Sequence, residues 1–216
     1  MNNVIGAIHE FHDEQYVTDW SNRFTPTHER VRLFDMIVSE VSGRVPADGC
    51  IVELGTGPGY LASHLLARLP KVRYYAIDFS EPMFAIARAR LTAYASRVHY
   101  VHANLVTDPW WTLISEPVDA VVSTWALHDL GGSAVIGAVY QGCARLLRPG
   151  GLLLNGDFIK PDHCNLEFEP GRFETSLHLQ LLGQAGFNQT ECMALFETEL
   201  ESPASPHNYA CFRAVR

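Results

Sequence analysis

The sequence predicts an α/β fold: a doubly wound, mostly parallel seven-stranded sheet with helices on both faces and an antiparallel last strand. Three observations carry this. Short apolar runs alternate with segments of helical period from Cys50 to Gly186. The first run, Ile51-Val52-Glu53-Leu54, stops in a turn with glycines at 55, 57 and 59, and a helical pattern opens directly at Tyr60. Two late strand-like segments, Met193–Thr198 and Asn208–Val215, flank Ser202-Pro203-Ala204-Ser205-Pro206 and read as an antiparallel pair.

A length of 216 residues suits one domain, 1–216, with a sizeable core. The chain is 47% hydrophobic and 19% charged, without an apolar run long enough to span a bilayer. Met1–Gly6 has neither the basic nor the long apolar region of a signal peptide, so a cytoplasmic location is expected. The five cysteines are scattered and form no C-x-x-C pair, which fits reduced thiols; no metal site is expected. A formal charge of −8 argues against nucleic acid as the main partner. Arg88, Arg90 and Arg97 come nearest to a basic strip and read as the solvated face of a helix.

Tyr16, Trp20 and Phe24 recur every four residues, on one side of a helix. Thr25-Pro26 reads as the next helix start, with Val31, Phe34, Ile37, Val38 and Val41 keeping the period to Gly43. Strand 1 leads through the glycine turn to a helix carrying Leu61, Leu65 and Leu69. Strand 2 follows at Val72–Ile77 and ends at Asp78. Ser80-Glu81-Pro82 caps a helix bearing Phe84, Ala87 and Leu91, and Val98–His102 alternates as strand 3. Val118–Ser123 is strand 4, and Ser133–Leu147 is helical. A type II turn at Arg148-Pro149-Gly150-Gly151 precedes strand 5, Leu152–Leu154. Residues 160–171 form an irregular loop. Phe173–Ala185 is helical and stops at Gly186.

The turn alone leaves two nucleotides open. Gly57-Pro58-Gly59-Tyr60-Leu61-Ala62 satisfies G-x-G-x-x-A, the dinucleotide fingerprint, and an acid such as Asp78 serves ribose in either case. The wider pattern is more specific. Glu53-Leu54-Gly55-Thr56-Gly57-Pro58-Gly59 resembles the first motif of class I S-adenosylmethionine-dependent methyltransferases. Asp78-Phe79-Ser80-Glu81-Pro82-Met83 is similar to that family's second-strand acid and helix start, and Ala103-Asn104-Leu105 to its adenine-edge segment. Asp119–Ser123 with Ala126–Leu130 resembles its fourth-strand motif, and Leu146–Gly151 its approach to strand 5.

The resemblance implies S-adenosyl-L-methionine as cofactor, with S-adenosyl-L-homocysteine as product. It puts Gly55, Thr56, Gly57 and Gly59 against the methionine and ribose, Glu53 near the α-ammonium, and Asp78 on the ribose diol. Phe79, Met83, Ala103, Asn104 and Leu105 fall around adenine, and Ser123 and Trp125 beside the sulfonium. The segment 1–25, through Tyr16 and Trp20, either closes over the cofactor as a lid or packs as core; the two readings stand even. The loop His163–Phe168 is a second candidate wall.

Methyl transfer needs mainly alignment, and a base only for an acceptor that holds its proton. His128 is the candidate base; against it stands a histidine that only shapes the pocket, as in relatives that work by positioning alone. Asp129 reads as a turn residue. No Asn/Asp-Pro-Pro-Tyr/Phe stretch of the amino-methylating nucleic-acid enzymes is present, and no Pro-Cys nucleophile of the cytosine C5 enzymes. A small-molecule acceptor is therefore expected, with no nucleic-acid or membrane partner. The alternatives are an NAD(P)-binding oxidoreductase and a non-catalytic S-adenosylmethionine-binding protein.

Overall fold

A computed structural model describes residues 9–162, 164, 167–196 and 208–216. Seven strands form one sheet in the order β3-β2-β1-β4-β5-β7-β6. They are β1 (Cys50–Leu54), β2 (Arg73–Asp78), β3 (Val98–His102), β4 (Val118–Thr124), β5 (Leu147–Phe158), β6 (Gln189–Phe196) and β7 (Tyr209–Val215). β1 to β5 pair in parallel, whereas β7 lies antiparallel between β5 and β6. The predicted fold class is the observed one.

Helices cover both faces, so the central strands are apolar on both sides. β1 shows the division: Ile51 packs with Leu33, Ile37, Leu65 and Phe84, while Cys50, Val52 and Leu54 pack with Trp110, Ile136, Tyr140 and Phe212. The first face is covered by α2 (His28–Arg44), α3 (Tyr60–Arg68) and α4 (Glu81–Arg90). α5 (Ser133–Leu146) and α6 (Thr175–Gln184) cover the second. The carboxyl ends of β1, β2, β4 and β5 open on one edge, where glycine turns and short helical turns replace regular structure.

Four sequence expectations shift. The N-cap of α2 is Thr27, whose hydroxyl accepts from the Arg30 N–H at 3.4 Å; Thr25 and Pro26 stay in the link from α1 (Glu14–Arg23). β5 begins five residues before Leu152. Pro149-Gly150 does turn the chain, with φ +75° at Gly150, but as a bulge inside the strand: Val118 pairs with Leu147 and Ala120 already with Leu152. β6 begins at Gln189, ahead of the expected Met193, and Thr198 and 202–206 lie outside the described residues. Finally, Arg97 is no solvated charge. Its guanidinium donates to the carbonyls of Leu66, Leu69 and Val72 and so closes the C-terminal end of α3.

Residues 9–24 lie across the open edge. Ser80 Oγ donates to the Phe11 carbonyl, and Tyr60 OH to the Ser21 carbonyl at 3.0 Å. Both anchors belong to the helices that follow the β1 and β2 turns.

Candidate active site

A cavity of about 380 Å³ occupies the carboxyl edge of the sheet beneath α1. Its floor is the β1 turn. Gly55, Gly57 and Gly59 all have positive φ (65°, 52° and 79°), a conformation that carries no steric cost only in glycine. At Gly57 a Cβ would project into open space, so this stretch of backbone is bare toward the cavity.

Two carboxylates flank the turn. Asp78, at the end of β2, accepts from the Gly57 N–H at 2.7 Å and from the Ser80 N–H at 3.0 Å, which fixes its plane while leaving lone pairs unused. Glu53 is 1% exposed and accepts from Tyr74 OH at 3.0 Å. Burial pushes its pKa up to about 8, with the Tyr74 hydrogen bond only partly offsetting the cost of ionisation. A cationic group arriving beside Glu53 would restore the charged form. Phe79, Met83, Ala103 and Leu105 supply an apolar wall next to Asp78, and Phe11 and Trp20 roof it.

The other half of the cavity is built on the ends of β4 and β5. Trp125 follows β4 with φ +48°, the only positive φ outside glycine among the described residues. Strain of this kind persists where surrounding contacts enforce it. The Trp125 N–H donates to the Gly156 carbonyl at 2.8 Å, and its ring meets Phe34 and Tyr209. Three residues on, His128 is paired with Asp157 of β5. The imidazole Nδ1 lies 2.8 Å from Asp157 Oδ1, and the His128 N–H donates to Asp157 Oδ2 at 3.1 Å.

Asp157 is fully buried and also accepts from the Phe158 N–H at 2.9 Å, so it is an acceptor locked in place. With Asp157 accepting from two main-chain N–H groups, Nδ1 is the ring nitrogen that donates to it, and Nε2 is turned toward Asp129. Burial pulls the His128 pKa down, but Asp157 and then Asp129 more than compensate, and it ends above the ordinary histidine value. Asp129 Oδ1 sits 3.3 Å from Nε2. Phe158 stands edge-on to the imidazole at 4.8 Å. The loop at Gly171 crosses so close to His128 that a Cβ there would fall 1.9 Å from the His128 carbonyl oxygen, which makes glycine obligatory. That crossing delivers Glu169 and Arg172 to the cavity rim, joined by an ion pair of 3.0 Å.

Most of the residues singled out from sequence meet here: Glu53, Gly55, Thr56, Gly57, Asp78, Phe79, Met83, Ala103, Leu105, Trp125, His128 and Trp20 all line the cavity. Four do not. Gly59 is the N-cap residue of α3, packed against Ala87. Asn104 uses its side-chain oxygen on the N–H groups of Val106 (2.8 Å) and Thr107 (3.4 Å), which holds the turn after β3. Ser123 is buried and donates to the Leu54 carbonyl at 3.0 Å, tying β4 to β1. Tyr16 is 37% exposed and does not line the cavity, its ring lying 5.8 Å from that of Phe11. Asp129, read as a turn residue, does lie in a short helical turn (Leu127–Leu130), yet its carboxylate also borders the cavity. In the second candidate wall, residues 163, 165 and 166 lie outside the described residues.

Sequence reasoning missed Asp157, Arg30, Phe158, Glu169 and Arg172. Only Asp157 left a signal: like Asp78, it is an acid at the carboxyl end of an apolar strand. No group of three or more metal-ligating side chains occurs among the described residues. Nor is any described helix long and apolar enough to cross a membrane.

Residues 51–151 match the family described as methyltransferase domain. A release factor glutamine methyltransferase of Gloeobacter violaceus is 32% identical over 149 residues, covering 59% of this chain and 51% of that protein. An uncharacterised methyltransferase of Mycobacterium tuberculosis is 31% identical over 116 residues, 54% of each. The chain thus spans about half the length of these curated relatives. Among solved structures, the CurJ carbon methyltransferase superposes with a TM-score of 0.73 at 16% identity, over 94% of this chain and 58% of that one.

Proposed function

We propose that this chain is a class I S-adenosylmethionine-dependent methyltransferase, a reading supported by the methyltransferase-domain match over residues 51–151, and that it methylates a hydroxyl group of a small-molecule acceptor. The observation that carries the hydroxyl assignment is the His128–Asp157 pair at 2.8 Å on the cavity wall. A hydroxyl oxygen becomes a strong nucleophile only as it loses its proton, and a buried imidazole oriented by a carboxylate is the group that removes it.

The cavity suits the cofactor. Glu53 offers negative charge to an α-ammonium, and the bare backbone at Gly57 leaves room for the chain of the amino acid. Asp78 has lone pairs for a ribose diol, and Phe79, Met83 and Leu105 form an apolar slot for adenine. When bound, S-adenosylmethionine supplies a methyl group on a sulfonium that departs as neutral S-adenosylhomocysteine. His128 Nε2 takes the hydroxyl proton as the oxygen–methyl bond forms and the methyl–sulfur bond breaks. The acceptor hydroxyl takes the place beside Nε2 that Asp129 borders. Asp157 acts as a positioning residue, keeping Nδ1 protonated and the ring in plane. Residues 9–24 serve as a lid that excludes water. A cavity walled by Trp20, Phe24, Phe34 and Phe158 favours a small planar acceptor over a protein or nucleic-acid segment. The cysteines, all free, fit a reducing compartment such as the cytoplasm.

Two measurements test this. Calorimetry should show S-adenosylhomocysteine binding; none would end the methyltransferase reading. Methyl transfer to a panel of phenols, followed by mass spectrometry, should fall about a hundredfold or more in His128→Ala with product binding unchanged. Asp157→Asn should slow turnover and move the ascending limb of the pH profile to lower pH, because the carboxylate that raises the His128 pKa is gone. An unmoved limb would make Asp157 merely structural. Product binding without turnover on any acceptor would favour the non-catalytic binding protein.

A further inference from the structure

The acceptor half of the cavity contains a cation that the methyl-transfer chemistry does not use. Arg30, in the first turn of α2, lines the cavity and is half-buried. Its guanidinium lies 4.7 Å over the Trp125 ring and 5.5 Å from that of Phe24. One N–H donates to the Phe24 carbonyl at 3.3 Å. No described Asp or Glu lies within ion-pair distance, unlike the second arginine of the cavity, Arg172, which Glu169 neutralises. Burial lowers the Arg30 pKa, opposed by Tyr209 and not by a carboxylate. Arginine stays charged regardless, so the protein holds a partly desolvated cation whose donors are mostly uncommitted.

Its surroundings point the same way. The Trp125 indole N–H is buried without a partner among the described residues, and so is the hydroxyl of Tyr209, whose ring packs on Trp125 at 5.4 Å. Arg30 and Trp125 therefore line one end of the cavity with Tyr209 packed behind, and among the described residues the Phe24 carbonyl is the acceptor that the Arg30 guanidinium meets. Leaving buried donors unmade is costly, and a ligand carboxylate would satisfy both charge and hydrogen bonding. Arg30, Trp125 and His128 all line the same cavity.

We infer that Arg30 is the specificity residue of this site and that the acceptor is a planar hydroxy acid, held through its carboxylate at Arg30 while its hydroxyl lies at His128. This deepens the hydroxyl-methylation reading and rests on it. No atom of Arg30 takes part in the transfer. Its role is to orient the acceptor and to reject neutral molecules of the same shape.

The test uses the full chain saturated with S-adenosylhomocysteine, titrated with hydroxybenzoates and hydroxycinnamates and with their uncharged carboxamides. Wild type should bind at least one acid about tenfold or more tightly than its amide, the range for one charge-assisted contact. Arg30→Met should abolish that preference and leave product affinity unchanged; Arg30→Lys should restore part of it. Thermal melting and product binding establish that each variant is folded. Equal binding of acid and amide by wild type would overturn the inference, as would a preference that survives in Arg30→Met. So would product binding with no acid bound at millimolar concentration. All three outcomes leave the cofactor reading standing, whereas failure to bind S-adenosylhomocysteine overturns that reading itself.

Discussion

The two halves of the cavity are made differently. At the β1 and β2 ends, the polar part of the surface is a compact stretch of main chain with one carboxylate per strand, within residues 53–78, set against an apolar wall of Phe79, Met83, Ala103 and Leu105. At the β4 and β5 ends it is made of side chains drawn from far apart, Arg30 from α2, Trp125 and His128 after β4, Asp157 from β5 and Arg172 from the loop beyond. A main-chain site recognises what every ligand of the family shares. A side-chain site can be rewritten without disturbing its neighbour. Under the proposed function, cofactor and acceptor recognition would be separable, and substitutions should divide accordingly.

The sharpest division is expected at Asp78. Replacing Asp78 with Ala removes two or more charge-assisted hydrogen bonds and should weaken S-adenosylhomocysteine about a hundredfold by calorimetry. The acceptor-side substitutions at His128 and Arg30 should leave that affinity alone; shared losses would break the division. Trp20 lies on the seam, its ring 5.4 Å from Phe11 on the cofactor side and 4.8 Å from Phe24 on the acceptor side. Trp20→Ala should therefore weaken both product and acceptor severalfold, with little change in melting temperature because the residue is only half-buried. A large drop in melting temperature with intact binding would make it core instead of lid.

The smallest effect is a pH-dependent one at Glu53. Its pKa rises from 4.5 to about 8 on folding, so the folded chain holds a proton that the unfolded chain has released. The associated stability is complete below pH 4.5 and is lost as pH climbs through about 8. Glu53→Gln removes that dependence. Its melting temperature should match wild type near pH 5 and exceed it by a few degrees above pH 8, while product binding weakens. A gap that ignores pH would mean that Glu53 ionises normally.

The same contrast explains what could be read from sequence. The fold and the cofactor half are local: alternating elements, a glycine turn and an acid at a strand end leave compact signatures in successive residues. Two residues expected there do not line the cavity, for local reasons. Asn104 and Ser123 can each satisfy a nearby main-chain group, and short polar side chains take that option readily. The acceptor half has no such signature. His128 could be singled out, but its partner lies 29 residues away and is brought to it only by the pairing of β4 with β5. Arg30 looks like any charge in the first turn of a helix, because nothing in sequence shows that Thr27, not Thr25, begins α2 and turns residue 30 toward Trp125.

The antiparallel strand has a consequence for the order in which the protein becomes competent during synthesis. Asp157 is paired with Ala210 of β7, and Phe158 with Tyr209. The ribosome must therefore add more than fifty residues after Asp157 before its partner strand exists. Until then β5 is an open edge that bears the carboxylate orienting His128, while β1, β2 and the glycine turn already have all their neighbours. A nascent chain can shape the β1 and β2 turns early, but the His128–Asp157 pair gains its last neighbouring strand only with β7, so under the proposed function binding would mature ahead of catalysis.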